Sequence, residues 1–207
     1  MSKPLLSAKN LYCERDRRVL FEGLDLSLEQ GELLQIEGAN GSGKTTLLRI
    51  LAGLSATYEG EIYYCGKPLH QVQAQYRSEL NYLGHLPGVK AELTPLENLR
   101  WYGQLAGIAG EDQWQSALAA VGLFGYEDVP CHMLSAGQQR RVNLARLRAI
   151  PAKIWILDEP FTAIDKQGVA VIEDSIHAHV EQGGAVIVTT HQPLASSSYL
   201  RSINLDG

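Results

Sequence analysis

The sequence predicts an α/β fold with a largely parallel sheet, and three observations lead to this fold class. Strand-like and helix-like segments alternate along the 207 residues, as they do where crossover helices join parallel strands. The apolar runs at 154–157 and 185–189 show no alternation, which is typical of strands buried on both faces. A glycine-rich loop also joins a short strand to a helix. We therefore expect a three-layer α/β core within a single domain, residues 1–207.

Local patterns place the individual elements. Apolar residues at 24, 26 and 28 alternate with polar ones, which indicates a half-buried strand. Strands are predicted at Leu5–Tyr12, Leu24–Leu28, Leu33–Ile36, Glu61–Tyr64, Ile154–Leu157 and Ala185–Thr189. Helices are predicted at Thr45–Leu54, Leu93–Leu105, Gln113–Val121, Ala136–Ala149 and Val169–Val180. From about Pro87 the segments become helix-like, with Gly and Pro between them, so residues 88–150 are predicted to form a helical lobe inserted into the α/β frame.

Composition and charge exclude several classes of protein. The chain is 45% hydrophobic, and its Lys and Arg residues number 18 against 23 Asp and Glu, a net charge of −5. This balance argues against a protein that grips a nucleic-acid backbone. Cys13, Cys65 and Cys131 are far apart and lack metal-ligand spacing, which indicates a reduced compartment. No apolar run approaches the ~18 residues that span a bilayer, so any membrane contact is expected through partners.

The glycine-rich loop carries a phosphate-binding pattern. Residues 38–45 fit G-x-x-x-x-G-K-[ST]. Its glycines allow backbone N–H groups to approach an anion, and the following helix adds the positive end of its dipole. Lys44 is expected to reach the β- and γ-phosphates, and the Thr45 hydroxyl to bind Mg²⁺. The predicted nucleotide site comprises Gly38, Ala39, Asn40, Gly41, Ser42, Gly43, Lys44, Thr45 and Thr46.

Two carboxylates end a buried strand. The run at 154–157 is followed by Asp158 and Glu159. Buried strands do not tolerate unpaired acids, so both are expected at the carboxyl edge of the sheet, where α/β proteins bind ligands. Asp158 is predicted to hold Mg²⁺, and Glu159 to act as general base on the water that attacks the γ-phosphate.

A third motif, at residues 134–141, starts a helix. Ser135 and Gln138 form the sequence pattern of a capping box. That box leaves Gly137 unexplained, because glycine in a first turn costs ~1 kcal/mol relative to alanine. A glycine beside a serine at a helix start is what a second anion site needs.

Together these motifs resemble the ATP-binding cassette (ABC) ATPases over essentially the whole chain. Gly38–Thr45 resembles Walker A, Leu134–Gln138 the LSGGQ signature, and Ile154–Glu159 Walker B. Pro160–Asp165 resembles the D-loop, and Thr190-His191 the switch histidine. The resemblance implies a P-loop NTPase core with an antiparallel β subdomain and an inserted helical subdomain.

The resemblance also implies a mechanism. ATP and Mg²⁺ would bind between two copies arranged head to tail, with Lys44, Glu159 and His191 acting in catalysis. The signature residues Ser135, Gly137 and Gln138, with Asp165 of the D-loop, would complete the nucleotide site of the other copy. The metal would be held by Thr45 and Asp158.

Two departures from the family leave alternatives open. The aromatic that stacks on adenine is missing from its usual place, which leaves Tyr12 or Arg15 for that role. The Q-loop glutamine is also missing: Gly88 falls in its slot, and His85 is the candidate substitute if there is one.

The segments 84–99, 134–147, 157–165 and 190–194 narrow the resemblance to ATP-binding subunits of the bacterial haem exporters of cytochrome c biogenesis. This implies integral membrane subunits as partners, a homodimer of ATPase subunits, and a cytoplasmic location on the inner face of the inner membrane. The partner subunit is expected to dock between about His85 and Tyr102, with Leu93, Leu96, Trp101 and Tyr102 as candidate apolar contacts.

Other classes fit less well. A GTP switch protein needs an N/T-K-x-D element, which the sequence lacks. A small-molecule kinase leaves the motif at 134–138 unexplained, and a chromosome-structure ATPase needs long heptad insertions. Soluble translation-associated ABC proteins usually carry two cassettes in a chain. The remaining alternative is an ABC transporter ATPase for another substrate.

Overall fold

A computed structural model describes residues 3–86, 88–108, 110–194 and 197–206. The strands are β1 (Leu6–Arg15), β2 (Arg18–Leu28), β3 (Leu33–Glu37), β4 (Glu59–Tyr64), β5 (Lys67–Pro68), β6 (Leu80–Leu83), β7 (Ile154–Asp158), β8 (Ala185–Thr189) and β9 (Leu200–Asn204). The helices are α1 (Lys44–Leu51), α2 (Gln73–Ser78), α3 (Pro95–Leu105), α4 (Glu111–Ala120), α5 (Ala136–Ala149) and α6 (Lys166–Glu181).

The amino-terminal strands form an antiparallel sheet in the order β2-β1-β4-β5. Leu6 is paired with Leu28 of β2 and with Tyr64 of β4. Leu11 and Cys13 alternate with more exposed residues, so one face of β1 enters the core. This sheet was implied by the family resemblance alone, and it is present.

The second sheet is parallel and has the order β6-β7-β8-β3-β9. Every residue of β7 and β8 is buried, as the apolar runs predicted. The register pairs Asp158 with Thr189 at the carboxyl ends of these two strands. The loop after β3 leaves the same edge, so the sheet gathers the three segments that carry the predicted chemistry.

Three apolar clusters hold the layers together. The first lies between the two sheets and includes α1, with Leu47, Leu48, Ile50 and Leu51 all buried. The second covers the other face of the parallel sheet, beneath α6. The third lies within α3, α4 and α5 and is built around Leu99, Trp114 and Leu118. The predicted fold class is confirmed: a P-loop α/β core with an antiparallel sheet and inserted helices.

Some elements were not predicted. The strands β5, β6 and β9 and the six-residue helix α2 were missed, and β2 begins at Arg18 rather than Leu24. β6 is short and carries a buried polar residue, Asn81, whose amide donates to the carbonyl of Ile150. The predicted start of α3 shifts to Pro95, because the side chain of Thr94 caps the helix. Pro87, near which the change to helix-like segments was predicted, lies outside the described residues.

Among the described residues, no helix combines the length and apolarity required to cross a bilayer.

Candidate active site

The phosphate loop connects β3 to α1 through backbone conformations that favour glycine. Gly38, Gly41 and Gly43 have φ values of 146°, 83° and 101°, which side chains with a Cβ rarely adopt. A Cβ on Gly43 would lie 3.0 Å from Cβ of Leu20. Gly43 is the N-cap of α1 and contributes no side-chain cap. The first-turn amides of α1 are therefore left for a ligand.

Lys44 folds back over this loop. Its Nζ donates to the carbonyl oxygens of Gly38 and Ala39, at 2.6 and 2.9 Å. The amide of Ala39 in turn donates to Oδ2 of Asp206, at 2.7 Å. Ser42 is buried behind the loop, where its Oγ would lie 2.6 Å from a Cβ on Gly38. The ammonium thus stands at the mouth of the loop, within reach of an anion bound there.

Asp158 ends β7 directly behind the start of α1. It is 1% exposed, and its Oδ1 accepts hydrogen bonds from Oγ1 of Thr45 at 3.2 Å and of Thr189 at 2.9 Å. Its Oδ2 is buried and has no partner among the described residues. A buried carboxylate oxygen without a partner is costly unless something binds it, so Asp158 and Thr45 present oxygen ligands of the kind that Mg²⁺ prefers.

Glu159 follows in a left-handed conformation, with φ of 49°. Its amide donates to both the carbonyl and the Oγ1 of Thr189, at 3.1 Å each. Its Oε1 lies 3.4 Å from Nε2 of His191, and the two side chains are 18% and 58% exposed. Glu159 lines the cleft, and its Oε1 is buried and accepts no hydrogen bond from the described residues. An unpaired carboxylate oxygen of this kind has the chemistry of a general base.

A buried guanidinium lies behind both acids. Nη1 of Arg140 donates to the carbonyls of Gly84 and His85, at 2.7 and 3.3 Å. Its Nη2 donates to the carbonyls of Asp158 and Glu159, at 2.9 and 2.8 Å. Burial lowers the pKa of Arg140, while the neighbouring carboxylates of Asp158 and Glu159 raise it.

These groups surround one cleft of about 500 Å³. Of the two candidates for adenine stacking, Arg15 lines the cleft, whereas the hydroxyl of Tyr12 donates to Glu14. His85 also lines the cleft, whereas the carbonyl of Gly88 accepts from the hydroxyl of Tyr102. The complete lining is Arg15, Leu20, Asn40, Gly41, Gly43, Lys44, Thr45, Thr46, His85, Asp158, Glu159, Thr162 and His191.

The start of α5 lies outside this cleft. The Oγ of Ser135 accepts from the amide of Gln138 at 3.2 Å, and the Gln138 side chain accepts from the amide of Ser135 at 2.9 Å. The predicted capping box is therefore formed. Gly137 has a further reason that the sequence did not show, because a Cβ there would lie 2.7 Å from the carbonyl oxygen of Ala163. Close packing inside the chain thus requires this glycine, whatever binds at the helix start.

Asp165 caps α6 and is likewise outside the cleft. Its Oδ1 accepts from the amide of Gly168 at 2.8 Å and from Nη2 of Arg141 at 2.6 Å. The Gly168 amide, followed by Arg141, lowers the pKa of this carboxyl. The predicted site residues therefore form two groups within one chain: the Walker residues with His191, and the start of α5 with Asp165.

Sequence reasoning missed three residues. Thr189 joins Asp158 to Glu159, Arg140 ties both to a neighbouring loop, and Asp206 holds the phosphate loop. The register of β7 against β8 would have suggested Thr189, because it is paired with Asp158. No sequence signal distinguishes Arg140 from the other arginines of the same helix, and none links Asp206 to residue 39.

The phosphate loop follows β3 at the carboxyl edge of a parallel sheet, and a buried Asp and the Glu after it stand at the end of β7, two strands away. This arrangement defines a P-loop nucleotide-binding protein. The comparisons with known proteins narrow this class. The family described as ABC transporter matches residues 21–162. The chain belongs to the ABC transporter family, and it is an ATPase of the ABC type.

The curated relatives are similar over nearly the whole chain. The cytochrome c biogenesis ATP-binding export protein CcmA of Hahella chejuensis is 54% identical over 203 residues, which cover 98% of this chain and 96% of that protein. The protein of the same description from Escherichia coli is 54% identical over 202 residues, 97% of this chain and 96% of the relative. That from Pseudomonas fluorescens is 53% identical over 195 residues, 94% and 92% of the two chains.

Solved structures agree on the fold. A putative ABC transporter ATP-binding protein from Pyrococcus furiosus is 26% identical with a TM-score of 0.82, covering 95% of this chain and 96% of that one. An ATP-binding cassette in a dimeric, post-hydrolysis state bound to ADP and phosphate is 25% identical with a TM-score of 0.81. The two chains are covered to 90% and 88%. The resemblance inferred from the motifs is confirmed.

Proposed function

We propose that this chain powers an ABC exporter of cytochrome c biogenesis, by driving either haem export or the release of a haem-loaded chaperone. The observation that carries the proposal is the 54% identity to export proteins of that description, over 98% of the chain. The subunit would work at the cytoplasmic face of the inner membrane, held there by integral membrane subunits. The alternative is an ABC exporter for another substrate.

The positions of the cleft residues support a role for each of them. The loop residues 38–46 cradle the phosphates of ATP, and Lys44 exchanges its two carbonyl contacts for the β- and γ-phosphates. Glu159 accepts a proton from the attacking water. His191, 3.4 Å from Oε1 of Glu159, contacts the γ-phosphate and keeps that carboxylate oriented. Lys44, Glu159 and His191 are therefore the proposed catalytic residues.

Magnesium fits the pair of oxygens behind the loop. The metal, when bound between Thr45 and Asp158, would neutralise charge that develops on the β- and γ-phosphates. The unpartnered Oδ2 of Asp158 supports this assignment. Among the described residues no cluster of three or more His, Cys, Asp or Glu side chains is arranged as a metal site, so phosphate oxygens and water would complete the coordination.

Two residues of the cleft are proposed to replace family residues that this chain lacks, the adenine-stacking aromatic and the Q-loop glutamine. Arg15 stacks its guanidinium on the adenine ring, a role supported by its place in the cleft lining. His85 takes the position of the Q-loop glutamine, because it lines the cleft after β6. Gly88, which occupies the position of the glutamine when counted along the sequence, instead packs beside Asn143 and Tyr102.

A second copy would complete each nucleotide site. Ser135, Gly137 and Gln138 lie outside their own chain's cleft, as does Asp165. This division supports a head-to-tail homodimer in which the start of α5 faces the γ-phosphate bound by the partner. Asp165 would orient the loop at 160–165 at the same contact, since it is fixed to Gly168 and Arg141.

The membrane subunit is proposed to dock on a groove of about 510 Å³ between the parallel sheet and α3. Tyr82, Tyr102, Leu105 and Arg146 are among the residues that line it. Leu105 is 69% exposed, whereas Leu96, an earlier candidate contact, is 5% exposed and belongs to the apolar core of the helices.

Trapping the dimer tests the mechanism. In Glu159→Gln, the amide is nearly isosteric but cannot accept the proton, so turnover is expected to fall ~10²–10⁴-fold while ATP still binds. Size-exclusion chromatography with ATP and Mg²⁺ should then show a dimer, which Ser135→Arg abolishes in the double variant. Glu181→Gln, an exposed change at the end of α6, is the matched control. Turnover at the wild-type rate in Glu159→Gln contradicts the assigned base.

The transported species needs a separate experiment. The complex is purified from membranes through this chain, and the hydrophobic proteins and haem that co-elute are measured by mass spectrometry and pyridine-haemochrome absorbance. ATPase activity with haem or haem-binding subunits present supports the proposal. An active complex with other membrane subunits and no haem favours the alternative.

A further inference from the structure

We propose that Arg140 is a positioning residue for ATP hydrolysis: its guanidinium fixes the backbone of Glu159 and couples that carboxylate to the start of α5 and to the loop that carries His85. This inference rests on the proposed role of Glu159. It assigns a function to a side chain that reaches neither the nucleotide cleft nor the start of α5 directly.

The burial of Arg140 is the first observation. The residue is 3% exposed, and removing a cation from water is costly unless its donors are satisfied. Both terminal nitrogens are used, and all four acceptors are main-chain oxygens of residues 84, 85, 158 and 159. The Nε is also buried but has no partner among the described residues, so the two terminal nitrogens make all of its hydrogen bonds there. Only a planar fork with several donors can reach two separate segments of chain in this way.

The second observation is the conformation of Glu159. A non-glycine residue with φ of 49° persists only where its surroundings hold it there. The amide of Glu159 is held by Thr189 on one side, and its carbonyl by Nη2 of Arg140 on the other. Without the guanidinium, the hydrogen bond to the Glu159 carbonyl is lost and only the bonds of its amide remain. The carboxylate is then expected to leave its position beside His191.

The other end of the fork reaches the loop after β6. Nη1 holds the carbonyls of Gly84 and His85, and His85 is the residue of that loop that lines the cleft. One side chain therefore holds the backbones of two residues, Glu159 and His85, that both line the cleft. A displacement of Arg140 would move the two together.

The position of Arg140 on α5 connects the start of this helix to the backbone of Glu159. Arg140 lies in the same continuous helix as the capping box of Ser135, about one and a half turns away. A rigid-body shift of α5, when its start meets the nucleotide of a second copy, is passed to the backbone of Glu159 through the guanidinium. Hydrolysis would then depend on α5 being in place, which prevents turnover in an open monomer.

Arg140→Lys tests this in the full chain assembled with its membrane subunits. The lysine keeps the charge but not the fork, so kcat should fall about tenfold or more, because misplacement of a reacting group by ~1 Å costs up to ~10²-fold. The KM for ATP and the stoichiometry of ATP binding should stay within threefold of wild type. Arg148→Lys, on the same helix but bonded to Ser175 of α6, should leave kcat unchanged.

Hydrogen exchange separates positioning from folding. In wild type, ATP with Mg²⁺ should slow amide exchange at 41–46, 84–86 and 134–141 together; in Arg140→Lys, only the protection at 41–46 should remain. Arg140→Gln, with fewer donors, is the second variant should the lysine prevent assembly. A kcat within twofold of wild type in either folded variant overturns the inference, as does a loss that merely follows the fraction of chains that bind ATP. If wild type itself does not hydrolyse ATP, the proposed function has failed instead.

Discussion

The helices α1 and α5 both begin beside a glycine next to a predicted phosphate site, yet their first turns are built differently. The N-cap of α1 is Gly43, which has no side chain that could accept from the first-turn amides of the helix. These amides can therefore donate to a ligand. α5 starts at Ser135, whose hydroxyl already accepts from the amide of Gln138. The first helix start therefore fits the proposed anion site within one chain. The second is satisfied by its own residues and has less to offer a ligand.

This difference has a structural reason. The glycine of α1 is required by left-handed backbone, with φ of 101°. Gly137 of α5 is required by the carbonyl of Ala163, which leaves no space for a Cβ. A third helix, α3, provides a comparison: Thr94 and Glu97 form the same capping box with no glycine in the first turn. Capping alone thus explains Ser135 and Gln138, and any role for them in nucleotide binding must be measured.

The largest effect is expected at α1. Lys44→Ala removes both the cation that faces the phosphates and the bridge to the carbonyls of Gly38 and Ala39. Hydrolysis should fall by roughly 10³-fold, as when a preorganised charge donor is lost, and ATP binding should weaken strongly. A phosphate-release assay and equilibrium binding of a fluorescent ATP analogue measure the two effects. Lys67→Ala, an exposed change on β5, is the control, and full activity in Lys44→Ala would refute the phosphate-loop assignment.

An intermediate effect is expected at α5, and α3 provides the matched comparison. Ser135→Ala and Thr94→Ala each remove one cap hydrogen bond of 3.2 Å, so each should cost about 1 kcal/mol of unfolding free energy. Only Ser135→Ala should also lower turnover, by roughly tenfold, the cost of one hydrogen bond of ~1.5 kcal/mol to a charged group. Urea melts and ATPase assays of the complex measure both quantities. Equal turnover in the two variants would mean that Ser135 serves only as a cap.

The smallest effect is expected at the base of the phosphate loop. Asp206→Asn keeps an acceptor for the amide of Ala39 but removes a negative charge near the triphosphate. Like charges ~10 Å apart in water repel by about 0.4 kcal/mol, so the Kd for ATP should fall about twofold at low salt. The gain should vanish near 1 M salt, where the Debye length is ~3 Å. A weaker affinity at every salt concentration would show that the carboxylate is needed to shape the loop.

The same contrast separates what was predictable from what was not. The loop at 38–45 and the run ending at Asp158 were predicted correctly, because their patterns are local: glycine spacing, and apolar residues without alternation. Strands β6 and β9 were missed, because one buries Asn81 against a distant carbonyl and the other is an edge strand with mostly exposed residues. Their stability comes from neighbours in the sheet rather than from their own pattern.

The sequence by itself determined which chemical groups the proposed site contains. It specified a phosphate loop, a strand that ends in two acids, and a helix start with a capping box, since each depends on residues that are neighbours in the chain. Only the tertiary structure decided how these parts are joined. Arg140 meets the carbonyls of Asp158 and Glu159, and Ala163 meets Gly137. Packing of α5 against the sheet brings a side chain and a backbone carbonyl up to 56 residues apart into contact. Such contacts leave no periodic signal, because a carbonyl oxygen is present at every residue and only the fold selects which one is reached.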